Sequence, residues 1–195
     1  MSRVFVITGP SGVGKGTLIR GLLERVPGLE LSVSATTRAP RSGEVDGVDY
    51  HFLGPDDFQR RVAAGEFLEH AAYSGRRYGT LRSEVERRLR EARGVVLEIE
   101  VQGARQVREA LPGAFQIFVA PPSLDALRAR LVGRGTDDPD QVAERLRTAE
   151  SELEAQNEFE AKLCNDRLET TVAELALMVE RRLDSCDTTG KADPQ

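Results

Sequence analysis

The chain has no tryptophan and only two cysteines, two histidines and three lysines among its 195 residues. Cys164 and Cys186 do not have the paired spacing of a structural zinc site, and two cysteines are too few for a disulfide framework. His51 and His70 also stand alone in the sequence. We therefore predict no zinc site and no fold that depends on disulfides.

Long apolar runs are missing as well. The apolar run near the start covers residues 4–7, which is too short for the core of a secretory signal, and no run has membrane-spanning length. The net charge of −5 argues against extensive, sequence-independent binding of nucleic acid. We therefore predict a cytoplasmic protein with neither a membrane nor a nucleic acid as partner, and the oligomeric state stays open.

The remaining sequence is long and apolar enough for one domain with a single main core, since 39% of its residues are hydrophobic. Short apolar runs typical of strands alternate with segments whose apolar residues recur every three or four positions. This alternation predicts an α/β fold with a parallel sheet flanked by helices. The predicted strands are residues 4–8, 31–35, 94–100, 115–120 and 162–165, and the predicted helices are 18–26, 81–92, 104–111 and 171–183.

Two stretches interrupt the alternation. Residues 34–80 are rich in glycine, tyrosine and charge and contain several turn signals, which indicates a mixed α/β insertion. Residues 123–157 form two charged helical segments around the break GRGTDDP, an arrangement suited to a moving lid. We assign residues 1–33, 81–122 and 158–183 to the core, and we expect the polar tail 184–195 to be disordered.

Residues 9–15, GPSGVGK, follow the first strand and precede the first helix, as in a phosphate-binding loop. The backbone N–H groups of such a loop surround phosphate oxygens, and a lysine adds positive charge. Lys15 is notable because 24 of the 27 basic residues are arginines. A compact ammonium fits a cradle of amides better than a guanidinium does. The candidate phosphate-binding residues are Gly9, Pro10, Ser11, Gly12, Val13, Gly14, Lys15, Gly16 and Thr17.

Residues 34–53, SATTRAPRSGEVDGVDYHFL, closely resemble the signature of guanylate kinases. The matching positions are Thr36, Thr37, Arg38, Arg41, Glu44, Gly47, Tyr50, Phe52 and Leu53. The phosphate loop, the YGT triplet at 78–80, the VQGA turn at 101–104 and the GRGTD break at 133–137 extend the resemblance over residues 4 to about 183.

The resemblance implies a P-loop nucleoside monophosphate kinase, in which 34–80 is the GMP-binding region and 123–157 the lid. It implies transfer of the γ-phosphoryl group of ATP to GMP, and to dGMP, in purine nucleotide metabolism and GMP recycling. The implied GMP-phosphate ligands are Arg38, Arg41, Tyr50 and Tyr78, and Ser34, Glu69, Thr80 and Glu100 would face or support guanine. Lys15, Arg134 and Arg145 would stabilise the transferring group.

The resemblance also implies Mg²⁺ as the cofactor of ATP. Gly16 stands where phosphate loops usually have a serine or threonine that contacts this ion, and Thr17 follows one residue later. We therefore expect the nucleotide phosphates and water to hold most of the coordination, with Thr17 as the candidate protein ligand. We expect no general base, because the acceptor is a phosphate oxygen that is already ionised.

The chemistry of guanine agrees with these assignments. Its Watson–Crick edge offers two donors beside an acceptor, so a carboxylate such as Glu69 accepts from guanine and would repel the ring nitrogen of adenine. Hydroxyls of Ser34 or Thr80 could donate to the guanine O6. A polar site that the wrong base leaves unpaired can discriminate by about 10⁴-fold.

Some arginines have a simpler interpretation. Charged helices commonly expose arginine to water, and we expect this of Arg130. Two alternative functions also remain open at the level of sequence. One is another nucleoside monophosphate kinase, against which the 34–53 segment and Glu69 count. The other is a guanylate kinase-like module that binds proteins without catalysis, against which Lys15 and the lid arginines count.

Overall fold

The computed structural model describes residues 2–73, 75–133 and 139–189. Within these residues, the strands are Val4–Thr8 (β1), Leu29–Leu31 (β2), Ala35–Thr36 (β3), His51–Phe52 (β4), Phe67–Tyr73 (β5), Arg76–Leu81 (β6), Gly94–Glu98 (β7), Phe115–Ala120 (β8) and Ala161–Cys164 (β9). The α-helices are Lys15–Arg25 (α1), Pro55–Ala63 (α2), Arg82–Glu91 (α3), Val101–Ala110 (α4), Leu124–Gly133 (α5), Pro139–Glu154 (α6) and Leu168–Thr189 (α7).

The main sheet is parallel, with the strand order β2-β7-β1-β8-β9. The central strand β1 is buried along its whole length, which explains why its sequence is a continuous apolar run. Ile7 of β1 pairs with Glu98 of β7, so the phosphate loop and the acidic end of β7 emerge at the same edge of the sheet. Ligands of open α/β sheets bind at this edge.

Helices cover both faces of the main sheet. On one face, α1 and α7 bury residues such as Leu18, Leu22 and Leu175. On the other face, α3 and α4 bury residues such as Val85 and Val107. The two apolar layers enclose the sheet, as the alternating sequence predicts.

The insertion contains a second sheet, with the strand order β4-β3-β6-β5. β3 and β4 are parallel, whereas the other pairs are antiparallel, so the sheet is mixed as expected. Helix α2 packs on this sheet through Phe58, which is fully buried and lies 4.5 Å from Phe67 between ring centroids. The second sheet therefore has a small core of its own.

Helices α5 and α6 share another small apolar cluster, formed by Leu127, Leu131, Val142 and Ala149. They lie in the stretch predicted as a lid. No helix in the described parts of the chain is long and apolar enough to cross a membrane.

The α/β class and the second mixed sheet are confirmed, but two details differ from the sequence predictions. The weak strand predicted at 31–35 is divided between two sheets, because Ser32 donates to Val96 of the main sheet while Ser34 accepts from His51 of the second. The expected disorder of the tail is wrong for residues 184–189, which continue α7. Once Leu183 anchors this helix in the core, each further turn costs little. Residues 190–195 lie outside the described residues.

Candidate functional site

The phosphate loop joins β1 to α1 with backbone conformations that require glycine. Gly9, Gly12 and Gly14 have φ angles of 139°, 86° and 99°. A Cβ atom at Gly9 would lie 2.1 Å from the carbonyl oxygen of Val119, so the turn is also too crowded for a side chain. The predicted loop residues Pro10, Ser11, Gly12, Gly14, Lys15, Gly16 and Thr17 line a cavity of about 390 Å³ together with Arg20, Glu98 and Glu100.

Lys15 folds back over the loop. Its side chain is 7% exposed, and Nζ donates to the carbonyl oxygens of Gly9 at 2.5 Å and Pro10 at 3.4 Å. The same nitrogen lies 3.6 Å from Oε1 of Glu100. These contacts hold a positive charge at the wall of the cavity that the loop amides border. The geometry is suited to an anionic ligand.

Arg38 is held by Glu44, which the signature segment supplies six residues later. Nη1 and Nη2 of Arg38 each donate to a carboxylate oxygen of Glu44 at 2.8 Å. The Arg41 backbone N–H donates to the same carboxylate at 2.7 Å. The hydrogen bonds from Arg38 lower the pKa of Glu44 to about 2. Glu44 in turn raises the pKa of Arg38, so this arginine remains a cation at any ordinary pH. The side chain of Arg41 is exposed.

Two tyrosines lie beside Arg38. The Arg38 guanidinium lies 5.2 Å from the ring centroid of Tyr50, and the rings of Tyr50 and Tyr78 meet edge to face at 6.2 Å. Burial raises the pKa of Tyr50, so its hydroxyl stays protonated and can donate. Three of the four predicted GMP-phosphate residues are thus brought together, and Arg41 joins them through its backbone.

A second cavity of about 400 Å³ lies between the two sheets. Its lining includes Ser34, Tyr50, Glu69, Tyr78, Glu98, Glu100 and Gly103. The tyrosines and the acidic residues therefore border one space, and Glu98 and Glu100 border the loop cavity as well. The two cavities are neighbours at the end of β7.

Glu69 is the buried acid of this second cavity. It is 5% exposed, and burial raises the pKa of its carboxyl to about 7, against the effect of hydrogen bonds from Thr80. The Thr80 hydroxyl donates to Oε1 of Glu69 at 2.7 Å and is itself only 1% exposed. In this structure the Thr80 hydroxyl therefore orients Glu69, and its donation to guanine O6 stays a prediction. Ser34 lines the cavity and keeps that candidate role.

The match to a family model for guanylate kinase covers residues 1–182. The chain belongs to the guanylate kinase family. It is 54% identical over 175 residues to a guanylate kinase from Synechococcus sp. strain CC9311, covering 90% of this chain and 92% of that protein. It is 50% identical over 196 residues to one from Mycolicibacterium paratuberculosis, covering 99% of this chain and 88% of that protein.

Structural comparison agrees with the family assignment. A crystal structure of guanylate kinase from Anaplasma phagocytophilum has a TM-score of 0.71 and 30% sequence identity to this chain. The similarity covers 92% of this chain and 86% of that one. The resemblance noted in the sequence therefore extends to the arrangement of the elements in space.

In this member of the guanylate kinase family, helix α6 of the predicted lid borders a third cavity of about 520 Å³. Arg145, Glu144, Thr148 and Glu152 of α6 line it opposite Ser11 of the phosphate loop and Glu100. Arg145 thus lines the same cavity as Ser11 of the loop, and its role at the transferring group stays a prediction. The other predicted lid arginine, Arg134, lies outside the described residues.

Two acids of the site, Glu152 and Glu98, were not among the site residues assigned from the sequence. Burial and the neighbouring Glu100, opposed by Lys15, together raise the pKa of the Glu152 carboxyl to about 7. Nothing in the charged sequence of α6 singles this residue out. Burial, opposed by Lys15, also raises the pKa of Glu98. Alternation of acids with apolar residues near the end of β7 is the signal that points to Glu98.

Arg130 corrects the sequence interpretation. Instead of standing in water, its guanidinium donates to the carbonyl oxygens of Val13 at 3.1 Å and Asn165 at 2.7 Å. The side chain is partly buried because α5 runs beside the phosphate loop, with Leu131 packed against Gly12. A sequence pattern of charged helices does not reveal such a contact, since it depends on how the helix docks.

Gly103 gives a first test of the acceptor cavity. A Cβ atom at this position would lie 2.6 Å from Oε2 of Glu69, so Gly103→Ala must displace the carboxylate. We expect the KM for GMP to rise by about tenfold, the cost of disturbing one charged hydrogen-bonding group, and the KM for ATP to change little. Steady-state kinetics with each substrate varied would measure both values. Gly54→Ala is the matched control, because a Cβ atom there meets nothing within 4 Å. An unchanged KM for GMP in Gly103→Ala would contradict the assignment of Glu69.

Proposed function

We propose that this chain transfers the γ-phosphoryl group of ATP to GMP, giving ADP and GDP, and that dGMP is a second acceptor. The observation that carries this proposal is the junction of two cavities at the end of β7. One is bordered by the phosphate loop and Lys15, the other by Glu69 and the tyrosines, and Glu98 and Glu100 border both. A donor phosphate and an acceptor phosphate could meet at this junction.

The residue chemistry supports a role for each side. Arg38, Tyr50 and Tyr78 offer cationic and neutral donors suited to a phosphate dianion, and Arg41 follows in the same loop. Glu69 offers an acceptor for the N–H groups of guanine. Lys15, Arg145 and, by the family motif alone, Arg134 would neutralise charge on the transferring group. Because the acceptor oxygen needs no deprotonation, the protein supplies position, charge and exclusion of water.

The residues present fit a magnesium ion. Thr17 and Glu98 line the loop cavity, and a Cβ atom at Gly16 would lie 3.6 Å from Oε2 of Glu98. Mg²⁺ binds hard oxygen ligands and commonly uses one or two protein groups beside phosphates and water. Thr17 and Glu98 would therefore hold it, and the ion would offset charge on the ATP phosphates. A cytoplasmic role in purine nucleotide metabolism and GMP recycling belongs to the same proposal.

An acceptor comparison tests the function. ADP release from ATP and Mg²⁺ would be measured with GMP, dGMP, AMP, UMP and CMP separately. We expect kcat/KM for GMP to exceed that for AMP by about 10³-fold or more, because adenine does not offer the buried Glu69 carboxylate the N–H donors that guanine offers. Turnover of AMP but not GMP would refute the acceptor assignment. Inactivity with every acceptor would favour a protein-binding module.

A further inference from the structure

The carbonyl group of Val13, inside the phosphate loop, is held from two directions. Arg130 Nη1 donates to it at 3.1 Å and Asn165 Nδ2 at 2.8 Å. Arg130 also donates to the Asn165 carbonyl oxygen at 2.7 Å, so the two clamping residues are joined to each other. Asn165 is 6% exposed and follows β9, where its backbone N–H donates to Ala120.

This arrangement controls the next amide along the loop. A peptide unit is planar and trans, so the Val13 C=O and the Gly14 N–H point in opposite directions. Holding the carbonyl toward Arg130 and Asn165 therefore directs the Gly14 N–H away from them. Gly14 borders the loop cavity, whereas neither clamping residue does. The clamp thus sets the orientation of a backbone donor that an anion would need.

Hydrogen bonds within the loop fix this orientation only in part: the Val13 N–H donates to the Pro10 carbonyl oxygen at 3.2 Å and the Leu18 N–H to the Gly14 carbonyl oxygen at 3.1 Å, and neither bond involves the Val13 carbonyl group. Val13 lies between Gly12 and Gly14, and glycine rotates its backbone dihedrals at little cost. The packing around the peptide is nonetheless close, since a Cβ atom at Gly14 would lie 2.8 Å from Nδ2 of Asn165. Arg130 and Asn165 therefore supply, from outside the loop, the hydrogen bonds that hold the Val13 carbonyl group in one orientation.

We propose that Arg130 and Asn165 are positioning residues for the phosphoryl donor, which act by clamping the Val13 carbonyl and so directing the loop amides toward the donor phosphates. The proposal rests on the proposed function in assigning this loop to ATP. Arg130 belongs to α5, the first helix of the predicted lid, so the clamp also connects the base of the lid to the loop.

Base-free and nucleoside-containing probes test the clamp. Binding of pyrophosphate and of ADP would be measured by calorimetry for the wild type, Asn165→Asp and Arg130→Met. Asn165→Asp keeps the shape of the side chain but removes its donor, and Arg130→Met keeps an apolar stem. We expect each variant to bind both probes about tenfold more weakly, with GMP affinity unchanged within about twofold. The double variant should lose less than the product of the single effects, because both residues act on one carbonyl.

Arg128→Met is the matched control, since Arg128 is exposed on the same helix and should leave all three affinities unchanged. Weaker ADP binding with unchanged pyrophosphate binding would overturn the proposal in favour of a direct contact with the nucleoside. Equal weakening of pyrophosphate, ADP and GMP would overturn it in favour of general damage to the fold. A wild type that binds both probes but does not phosphorylate GMP would refute the proposed acceptor and leave this test intact.

Discussion

Replacing Lys15 by methionine is expected to lower kcat for GMP phosphorylation by about 10³-fold, because one preorganised charge on the transferring group is lost. Lys15 is the cation that the loop itself supplies, and its ammonium is anchored on the Gly9 and Pro10 carbonyl oxygens. Methionine has a similar length without the charge. The fold should survive, since the side chain packs in the loop wall without belonging to the apolar core. Single-turnover measurements of ADP formation would separate the chemical step from nucleotide binding.

Lys162 provides the matched control for this variant. It lies on the edge strand β9, is exposed, and donates to Asn157, away from the phosphate loop. Lys162→Met should therefore keep kcat within about twofold of the wild type, as expected for a surface change outside the site. Lys15→Arg is a second useful variant, because a planar guanidinium does not fit the position of an ammonium enclosed by backbone carbonyls. Near-normal kcat in Lys15→Met would remove Lys15 from the catalytic role.

Much of the fold could be predicted because its local signals agree with its packing. The buried run of β1 is wholly apolar and ends in a glycine turn, so both the central strand and the phosphate loop are readable from residues 4–15. The short strands of the second sheet were harder to predict from the sequence. β3 and β4 have two residues each, and they are held by pairing with β6 and with one another instead of by any propensity of their own.

The site divides in the same way. Lys15 and Arg38 belong to compact sequence patterns, whereas Glu69 was assigned through the family resemblance. The hydrogen bond that orients Glu69 comes from Thr80 on the neighbouring strand, and the sequence does not say whether that hydroxyl would serve the ligand or the acid. Arg130 was interpreted as a surface residue because its partners Val13 and Asn165 lie 117 and 35 positions away in the sequence. Such pairings follow from the docking of elements, which a single sequence pattern does not encode.

The lid cluster illustrates the same limit with charge. Glu152 lies in a helix whose sequence is charged along most of its length, and only the folded structure shows that it faces Glu100 and Ser11 across a cavity. Its carboxyl pKa is raised because burial and a second acid both disfavour the anion. The phosphate site is therefore bordered by acids as well as by Lys15.

Glu69→Gln is expected to lower kcat/KM for GMP by about 10³-fold and to stabilise the free protein at alkaline pH. The amide places N–H donors where the N–H donors of guanine need an acceptor, so specificity is lost with little change in side-chain volume. The same substitution removes a buried acid that must lose its proton above pH 7. Acceptor kinetics and thermal unfolding of the two proteins would measure the two effects.

The sign of the stability effect follows from the raised pKa. Burial raises the Glu69 carboxyl from the ordinary value of 4.5 to about 7 in the folded protein, so between these two values the folded state binds more protons than the unfolded state. The contribution of Glu69 to stability is therefore fully present below about pH 4.5 and is lost as the pH rises through 7. Glu69→Gln should be close to the wild type in unfolding temperature at pH 5 and more stable than it at pH 8.

Over the same range, binding of guanosine to the wild type should strengthen with pH, because the carboxylate is the accepting form, whereas binding to Glu69→Gln should be weak and independent of pH. Guanosine is the suitable probe because it lacks the phosphate that titrates near pH 6. Two results would contradict the assignment of Glu69 as the buried acid that accepts from guanine. One is guanosine binding to the wild type that does not vary with pH, and the other is a Glu69→Gln variant that is less stable than the wild type at pH 8.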